Sequence, residues 1–455
     1  MNLEKVNKVY FLGIGGIGMS AIARYFMQKN IPVYGYDKTA SPLTQKLVEE
    51  GAEIIYQDDI ELLPIGLTKE NDILYIFTPA IPQNNVIFQY FKKENIRLYK
   101  RSEILGLLSQ QYKCIGIAGT HGKTTVSSMT AHLLHSSSIG CQAFLGGILK
   151  DHESNLLTHE TSQWMVVEAD EYDRSFLQLH PHIGLITAMD ADHLDIYSNH
   201  SQLQNTFKEY AKQVDNDGQV IIHYQLKEHF SDFTNTKTYS LDNPSSDIYA
   251  SNIQLKQGLY HFDLVHPEGR IEDLRLNMPG MINLENAIAA SALAIESGVK
   301  GEEIRKALAN FGGVKRRMEL VIKNEKLSYY DDYAHHPEEI KAALSSLKKL
   351  YPEKKMTVVF QPHLFSRTQD FQDGFAQSLS IADEIILLDI YPAREEPIPG
   401  VTSQIILDKI SKQHKQLLRK EKLISTLKNM DLELLVTLGA GDIDRFVEPI
   451  KNELS

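Results

Sequence analysis

Seven consecutive residues, Gly119-Thr120-His121-Gly122-Lys123-Thr124-Thr125, constrain this chain more than any other stretch. They follow the apolar run Cys114-Ile115-Gly116-Ile117-Ala118 and precede residues 126–134, which read as an amphipathic helix. Strand, tight loop and helix in that order aim successive backbone N–H groups and a helix N-terminus at one place, which suits an anionic phosphate. Such a unit belongs to an α/β fold with a parallel sheet. Within the loop, Lys123 can reach the β- and γ-phosphates of a nucleoside triphosphate, and the Thr124 hydroxyl can ligate Mg²⁺. The spacing departs from the usual phosphate loop at one point: Ile117 stands five residues before Gly122, where a glycine is standard.

A chain of 455 residues suggests three domains at roughly 150 residues each, and pattern changes place them at 1–110, 111–313 and 314–455. With 42% hydrophobic and 23% charged residues the composition is that of an ordinary globular protein. A net charge of −12 disfavours nonspecific binding to nucleic acid or anionic membranes. The two cysteines, Cys114 and Cys141, lack metal-type spacing and fit a reducing compartment. No apolar run approaches the ~18 residues of a membrane span. The polar first residues pass straight into a strand, so no signal peptide is expected and the cytoplasm is the expected location.

Strands are expected at 8–12, 33–37, 73–77, 97–99, 164–167 and 183–187, and helices at 17–27 and 282–295. Strand-like stretches near 219–223, 237–240 and 259–265 suggest a mixed sheet edge or an insertion. From 314 onwards the alternation resumes, with strands at 327–331, 356–360, 384–389 and 434–438 and helices at 338–350 and 370–380.

Gly13-Ile14-Gly15-Gly16-Ile17-Gly18 matches G-x-G-x-x-G between a strand and a helix, and Asp37 ends the next strand 19 residues after Gly18. The glycines let the backbone approach a pyrophosphate, and the acid suits a ribose hydroxyl. NAD or a UDP-sugar would offer the same two phosphates. Two polar runs, Glu168-Ala169-Asp170-Glu171-Tyr172-Asp173 and Asp190-Ala191-Asp192-His193-Leu194-Asp195, each follow a strand. In a parallel sheet they fall at carboxyl ends beside the phosphate loop, where carboxylate and imidazole can hold Mg²⁺. Lys315-Arg316-Arg317 at a domain junction can clamp phosphates. Asp331-Asp332-Tyr333-Ala334-His335-His336-Pro337 and Gln361-Pro362-His363 with Arg367 also follow strands, and Arg367 offers a cation for an anion. The adjacent pair His335-His336 is poorly suited to chelating one metal.

Together these motifs, with Asn283-Leu284-Glu285-Asn286-Ala287, Tyr391-Pro392-Ala393-Arg394-Glu395 and Gly439-Ala440-Gly441-Asp442, resemble the Mur ligases of peptidoglycan synthesis along the whole chain. The resemblance implies three domains: a Rossmann-like N-terminal one, a phosphate-loop mononucleotide-binding central one, and a Rossmann-like C-terminal one. It implies UDP-N-acetylmuramate rather than NAD at Gly13, Gly15, Gly16, Gly18 and Asp37. It also implies ATP with Mg²⁺ at Gly119, Thr120, His121, Gly122, Lys123, Thr124 and Thr125. By motif, Lys123 would cradle the transferring phosphate, and Thr124, Glu168 and His193 would organise Mg²⁺. Asn283 and Asn286 would meet adenine, Asp332 the ribose, and Arg316 or Arg317 the phosphates. His335, His363 and Arg367 would lie near an amino-acid pocket in a closing C-terminal domain. Two positions depart from the family pattern: Ile282 replaces a common histidine, and Leu364 replaces a common arginine, which moves the weight onto Arg367.

The activity implied is ATP-dependent amide formation on the lactyl carboxylate of UDP-N-acetylmuramate through an acyl phosphate, with His193 and His335 as candidate bases. Residues 190–197 and 170–176 lean toward L-alanine as the amine over a preformed tripeptide. A nicotinamide-dependent oxidoreductase leaves the phosphate loop unexplained, and a non-catalytic ATP switch leaves the acidic, histidine and arginine elements unexplained. A monomer or weak homodimer is expected, with no nucleic-acid or membrane partner.

Overall fold

The computed structural model describes residues 3–67, 72–190, 197, 199–256, 258–393 and 395–455. The chain packs as two compact units, Met1–Ile253 with His261–Arg275 and Glu285–Phe311, and Gln254–Tyr260 with Leu276–Leu284 and Gly312–Ser455.

The first unit opens with a five-stranded parallel sheet in the order Glu53–Ile55, Val33–Tyr36, Lys8–Leu12, Ile73–Phe77, Leu98–Lys100. The chain leaves Lys8–Leu12 toward one side of the sheet and returns on the other. The glycine loop after this strand therefore opens at the crevice where the winding reverses. The second sheet has Lys113–Ala118 near its centre, between Pro181–Ile186 and Trp164–Glu168, all parallel. Strand Lys113–Ala118 is buried from its second residue onward, as a parallel strand covered on both faces must be. The chain next builds Gln142–Leu149, Ser154–Leu157 and Trp164–Glu168 on one side of it, then Pro181–Ile186 on the other. This places the phosphate loop, too, at a reversal point.

Beyond Pro181–Ile186 the sheet continues through Gln219–His223, Thr236–Ser240, Ile248–Lys256, Leu259–His266 and Gly269–Leu276. The expected edge region is thus a five-strand extension, and its strands at 248–256 and 269–276 add to the sequence reading. On the other side, Gln142–Leu149 pairs antiparallel with Ser154–Leu157. Helix Ile17–Gln28 meets this hairpin through a buried polar joint. Asn155 Nδ2 lies 3.0 Å from Ser20 Oγ, and Arg24 spans from Asn155 to Glu50, 2.7 Å from Nε.

The second unit carries a six-stranded sheet in the order Glu319–Lys323, Ser328–Asp332, Leu434–Leu438, Met356–Phe360, Glu384–Leu387, Lys415–Leu417. Only the first pair is antiparallel. Helix Pro337–Leu350 covers one face with Ile340, Leu344 and Leu347, and Leu423, Leu427 and Ile450 cover the other.

One expected helix needs correction. Residues 126–134 do not form an amphipathic helix. Helix Lys123–His135 is buried at every position from Thr124 to Leu134, partly because helix Gly301–Ala309 packs on it, with His132 Nε2 2.9 Å from the Ala307 carbonyl. A helix covered all round shows no apolar stripe. The helix expected at 370–380 is present as Gln372–Leu379, and a further short helix, Phe365–Asp370, precedes it and ends at Phe371, whose ψ of 16° leaves the helical range.

Candidate functional site

Gly119 and Gly122 both take left-handed φ angles, 133° and 79°, and this lets the backbone turn tightly from strand into helix. Thr120 N donates to the Ala188 carbonyl at 3.1 Å, and Asp190 N donates to Thr120 Oγ1 at 3.1 Å, so the neighbouring strand end braces the loop. His121 Nε2 lies 3.5 Å from Asp190 Oδ2. Thr124 and Thr125 are buried in the first helical turn.

Lys123 Nζ donates to the Gly119 carbonyl at 2.7 Å and to Glu171 Oε1 at 2.8 Å. Burial opposes the ammonium charge, but Glu171, Asp170 and Glu168 overcome it and hold the lysine pKa above its ordinary value. Lys123 is therefore a charged group across neutral pH. Burial pushes the Glu171 carboxyl up, while Lys123 draws it back.

Glu168 ends its strand opposite Ile117 in register, which sets it at the mouth of the loop. Its Oε2 is buried without a hydrogen-bond partner among the described residues. The carboxylate lies against Gly146, where a Cβ would collide with it. A buried carboxylate oxygen with no donor is costly unless a cation faces it. Glu168 with the Thr124 hydroxyl therefore fits a hard divalent ion such as Mg²⁺. The third expected ligand, His193, lies outside the described residues with Ala191, Asp192, Leu194 and Asp195, as does Arg394. Asn286 reaches the loop: a Cβ on Gly122 would come within 2.8 Å of its Oδ1. Asn283 Nδ2 donates to the Pro279 carbonyl at 2.7 Å.

In the glycine loop, Gly13 N donates to the Tyr36 carbonyl at 2.8 Å and Gly16 N to the Gly13 carbonyl at 3.3 Å. Asp37 does not stand ready for a ribose alone. Its Oδ2 accepts from Gly15 N at 2.8 Å and its Oδ1 from Thr39 N at 3.1 Å, so it staples the loop.

In the second unit, Arg316 and Arg317 both lie over the Tyr333 ring, 5.1 and 5.0 Å from its centre. Arg316 also bonds the Gly439 carbonyl and faces Asp331 Oδ2 at 3.3 Å. Asp331 is fully buried, and burial raises its pKa to about 6 against the pull of Arg316. Asp332 accepts from Met318 N at 2.6 Å and from Ala334 N at 2.8 Å. Burial raises its pKa as well, with Arg317 opposing.

His335 Nδ1 lies 3.1 Å from the Tyr333 carbonyl. A carbonyl only accepts, so Nδ1 carries the proton and Nε2 the lone pair. Burial lowers the His335 pKa, and the Arg367 and Arg317 charges add to that against Glu339. The His335 and His363 rings are 6.0 Å apart, and His363 stacks on Tyr391 at 5.8 Å. The structure thus brings His335, His363 and Arg367 to one end of the third sheet. A separate cavity of about 820 Å³, lined by Leu327, Lys354, Met430 and Glu433, lies at the opposite strand ends and holds none of the candidate residues.

Sequence reasoning missed the place of Gly146 against Glu168 and of Arg101 against Gly18. Both depend on contacts between distant segments, and no local motif signals them.

Three Mur ligase family models match the chain: the family's catalytic domain at residues 8–113, its middle domain at 117–294 and its glutamate ligase domain at 316–442. The chain belongs to the Mur ligase family. It is 47% identical to a UDP-N-acetylmuramate–L-alanine ligase of Phocaeicola vulgatus over 99% of this chain and 98% of that one. The crystal structure of a UDP-N-acetylmuramate–alanine ligase from Thermotoga maritima superposes with a TM-score of 0.83 at 25% identity, covering 98% of each chain. A murein peptide ligase from Psychrobacter arcticus shares the fold, with a TM-score of 0.72 at 24% identity and 98% of each chain covered.

Proposed function

We propose that this chain is an ATP-dependent ligase that joins L-alanine to the lactyl carboxylate of UDP-N-acetylmuramate and releases ADP and phosphate, a step of peptidoglycan precursor synthesis. Full-length relatedness to an L-alanine-adding ligase carries this reading. The likeness to the murein peptide ligase is one of fold. Residues 1–110 hold the UDP-sugar, 111–313 bind ATP, and 314–455 receive the amino acid. The substrates are nucleotide precursors, which sets the reaction in the cytoplasm, and no described helix is long and apolar enough to cross a membrane.

Joining a carboxylate to an amine is uphill in water, so the carboxylate is activated first. A lactyl oxygen attacks the γ-phosphorus of ATP and ADP leaves; the alanine nitrogen then attacks the acyl carbon and phosphate leaves. Two anions must meet in the first step, and Lys123 neutralises charge there. Bound through Thr124 and Glu168, Mg²⁺ supplies further charge neutralisation at the phosphates. Arg316 and Arg317 serve the phosphates from the C-terminal domain, with Asn283, Asn286 and Asp332 on the nucleoside. Arg367 and His363 hold the amino acid. The amine must lose a proton before it attacks, and the Nε2 lone pair of a neutral His335 takes it.

The test is to supply the purified chain with UDP-N-acetylmuramate, ATP and Mg²⁺, and to compare L-alanine with a preformed tripeptide as acceptor. Phosphate release and amide product with L-alanine are expected. Turnover with the tripeptide and none with L-alanine overturns the proposal.

A further inference from the structure

The glycine loop, Gly13 to Gly18, contains no cation of its own. It also carries a carboxylate, because Asp37 Oδ2 sits 2.8 Å from Gly15 N. The helix that follows, Ile17–Gln28, has Gly16 before its first turn and no side-chain cap. Backbone N–H groups alone would have to offset both phosphates of a sugar nucleotide and the adjacent Asp37 charge.

Arg101 stands beside this loop. It opens helix Arg101–Ser109 directly after strand Leu98–Lys100, at the same sheet edge as the loop. A Cβ built on Gly18 would come within 2.5 Å of Arg101 Nη1 and 3.1 Å of its Cζ. The missing side chain at Gly18 is what lets the guanidinium rest on the first turn of the helix. The other terminal nitrogen, Nη2, lies 3.8 Å from Asp170 Oδ2, well beyond the ~2.7–2.9 Å of a charge-assisted hydrogen bond. Next to it, Lys100 Nζ is already closed onto Asp173 Oδ2 at 2.7 Å. Of these two neighbouring cations, Lys100 is committed to a short ion pair, while Arg101 is held loosely and is one-fifth exposed, at 21%.

We propose that Arg101 binds the diphosphate of the sugar nucleotide and exchanges its loose contact with Asp170 for that anion. This rests on the reading that the glycine loop holds a UDP-sugar. A guanidinium presents a planar fork that two phosphate oxygens can accept together, which an ammonium does not.

The test is isothermal titration of UDP-N-acetylmuramate, and separately of ADP with Mg²⁺, into the full chain and its variants. Arg101→Ala should weaken UDP-sugar binding about tenfold or more and leave ADP binding within twofold. Arg101→Lys should recover part of the loss and fold as the parent does, which separates charge from packing. Asp170→Asn, which removes the competing carboxylate, should bind the sugar nucleotide as well as the parent or better. UDP-sugar affinity within twofold of the parent in Arg101→Ala overturns the inference. So does an equal loss in Asp170→Asn, because the pair itself would then be what matters. If the parent chain fails to bind the UDP-sugar, the functional reading falls first, which is a different result from loss in the variant alone.

Discussion

The two glycine-rich loops of this chain each follow a strand flanked by parallel neighbours, at the point where the winding of its sheet reverses, yet their charges are arranged in opposite ways. The loop at Gly119–Thr125 contains its own cation, Lys123, tethered by Glu171 and by the loop's own Gly119 carbonyl. The loop at Gly13–Gly18 contains none, takes a carboxylate onto Gly15 N, and has a guanidinium delivered from residue 101. A phosphate that will be transferred needs a charge built into the loop that turns around it, because charge changes there during reaction. A diphosphate that only anchors a substrate needs binding alone, and a cation borrowed from a neighbouring helix can supply it. The difference separates a reacting phosphate site from a holding one.

Removing Lys123 should break that comparison most severely if it is wrong. Lys123→Ala is expected to lower turnover by about 10³-fold or more while UDP-N-acetylmuramate still binds with near-parent affinity by titration. Loss of sugar binding in this variant would merge the two loops into one site. His335→Gln, which touches neither loop, should cost about 10²-fold in turnover with both nucleotides still bound. Because His335 acts as the neutral base and burial lowers its pKa, the parent's rate should fall only as pH drops below the ordinary histidine value near 6.5. That acid limb should vanish in the variant's pH profile. Gly18→Ala pushes a Cβ onto Arg101, and it should weaken UDP-sugar binding about tenfold with ADP binding kept. Glu171→Gln leaves an acceptor for Lys123 but removes a charge that holds its pKa up. A several-fold loss in turnover, steepest at alkaline pH where Lys123 begins to deprotonate, is expected from a rate profile.

Much of this arrangement is legible in the sequence because it is local. Strand, loop and helix around Lys123, the strand-end acids at Glu168 and Glu171, and the runs holding His335 and His363 are all written within ten or so consecutive residues. What escapes is tertiary. Arg101 meets Gly18 across 83 positions of chain. Gly146 meets Glu168 from a neighbouring strand, and the Gly146-Gly147 pair there carries no strong β signal. Helix Lys123–His135 looks amphipathic in sequence because it mixes Thr, Ser and His with Leu. Its polar side chains are buried and turned inward: Thr130 Oγ1 donates to the Val126 carbonyl at 2.8 Å, and His132 reaches Ala307. The break at Phe371 likewise has no Pro or Gly to announce it. The position of Asp37 at a strand end suggests a ribose contact, and nothing in the sequence signals that it also closes onto Gly15 N.

The most direct test of the account joins the two loops in one reaction. UDP-N-acetylmuramate labelled with ¹⁸O in the lactyl carboxylate is turned over with ATP, Mg²⁺ and L-alanine, and the released phosphate is analysed by mass. If the carboxylate delivered by the glycine loop attacks the phosphate held by Lys123, each released phosphate carries one labelled oxygen. Unlabelled phosphate, with the amide still formed, would contradict the account.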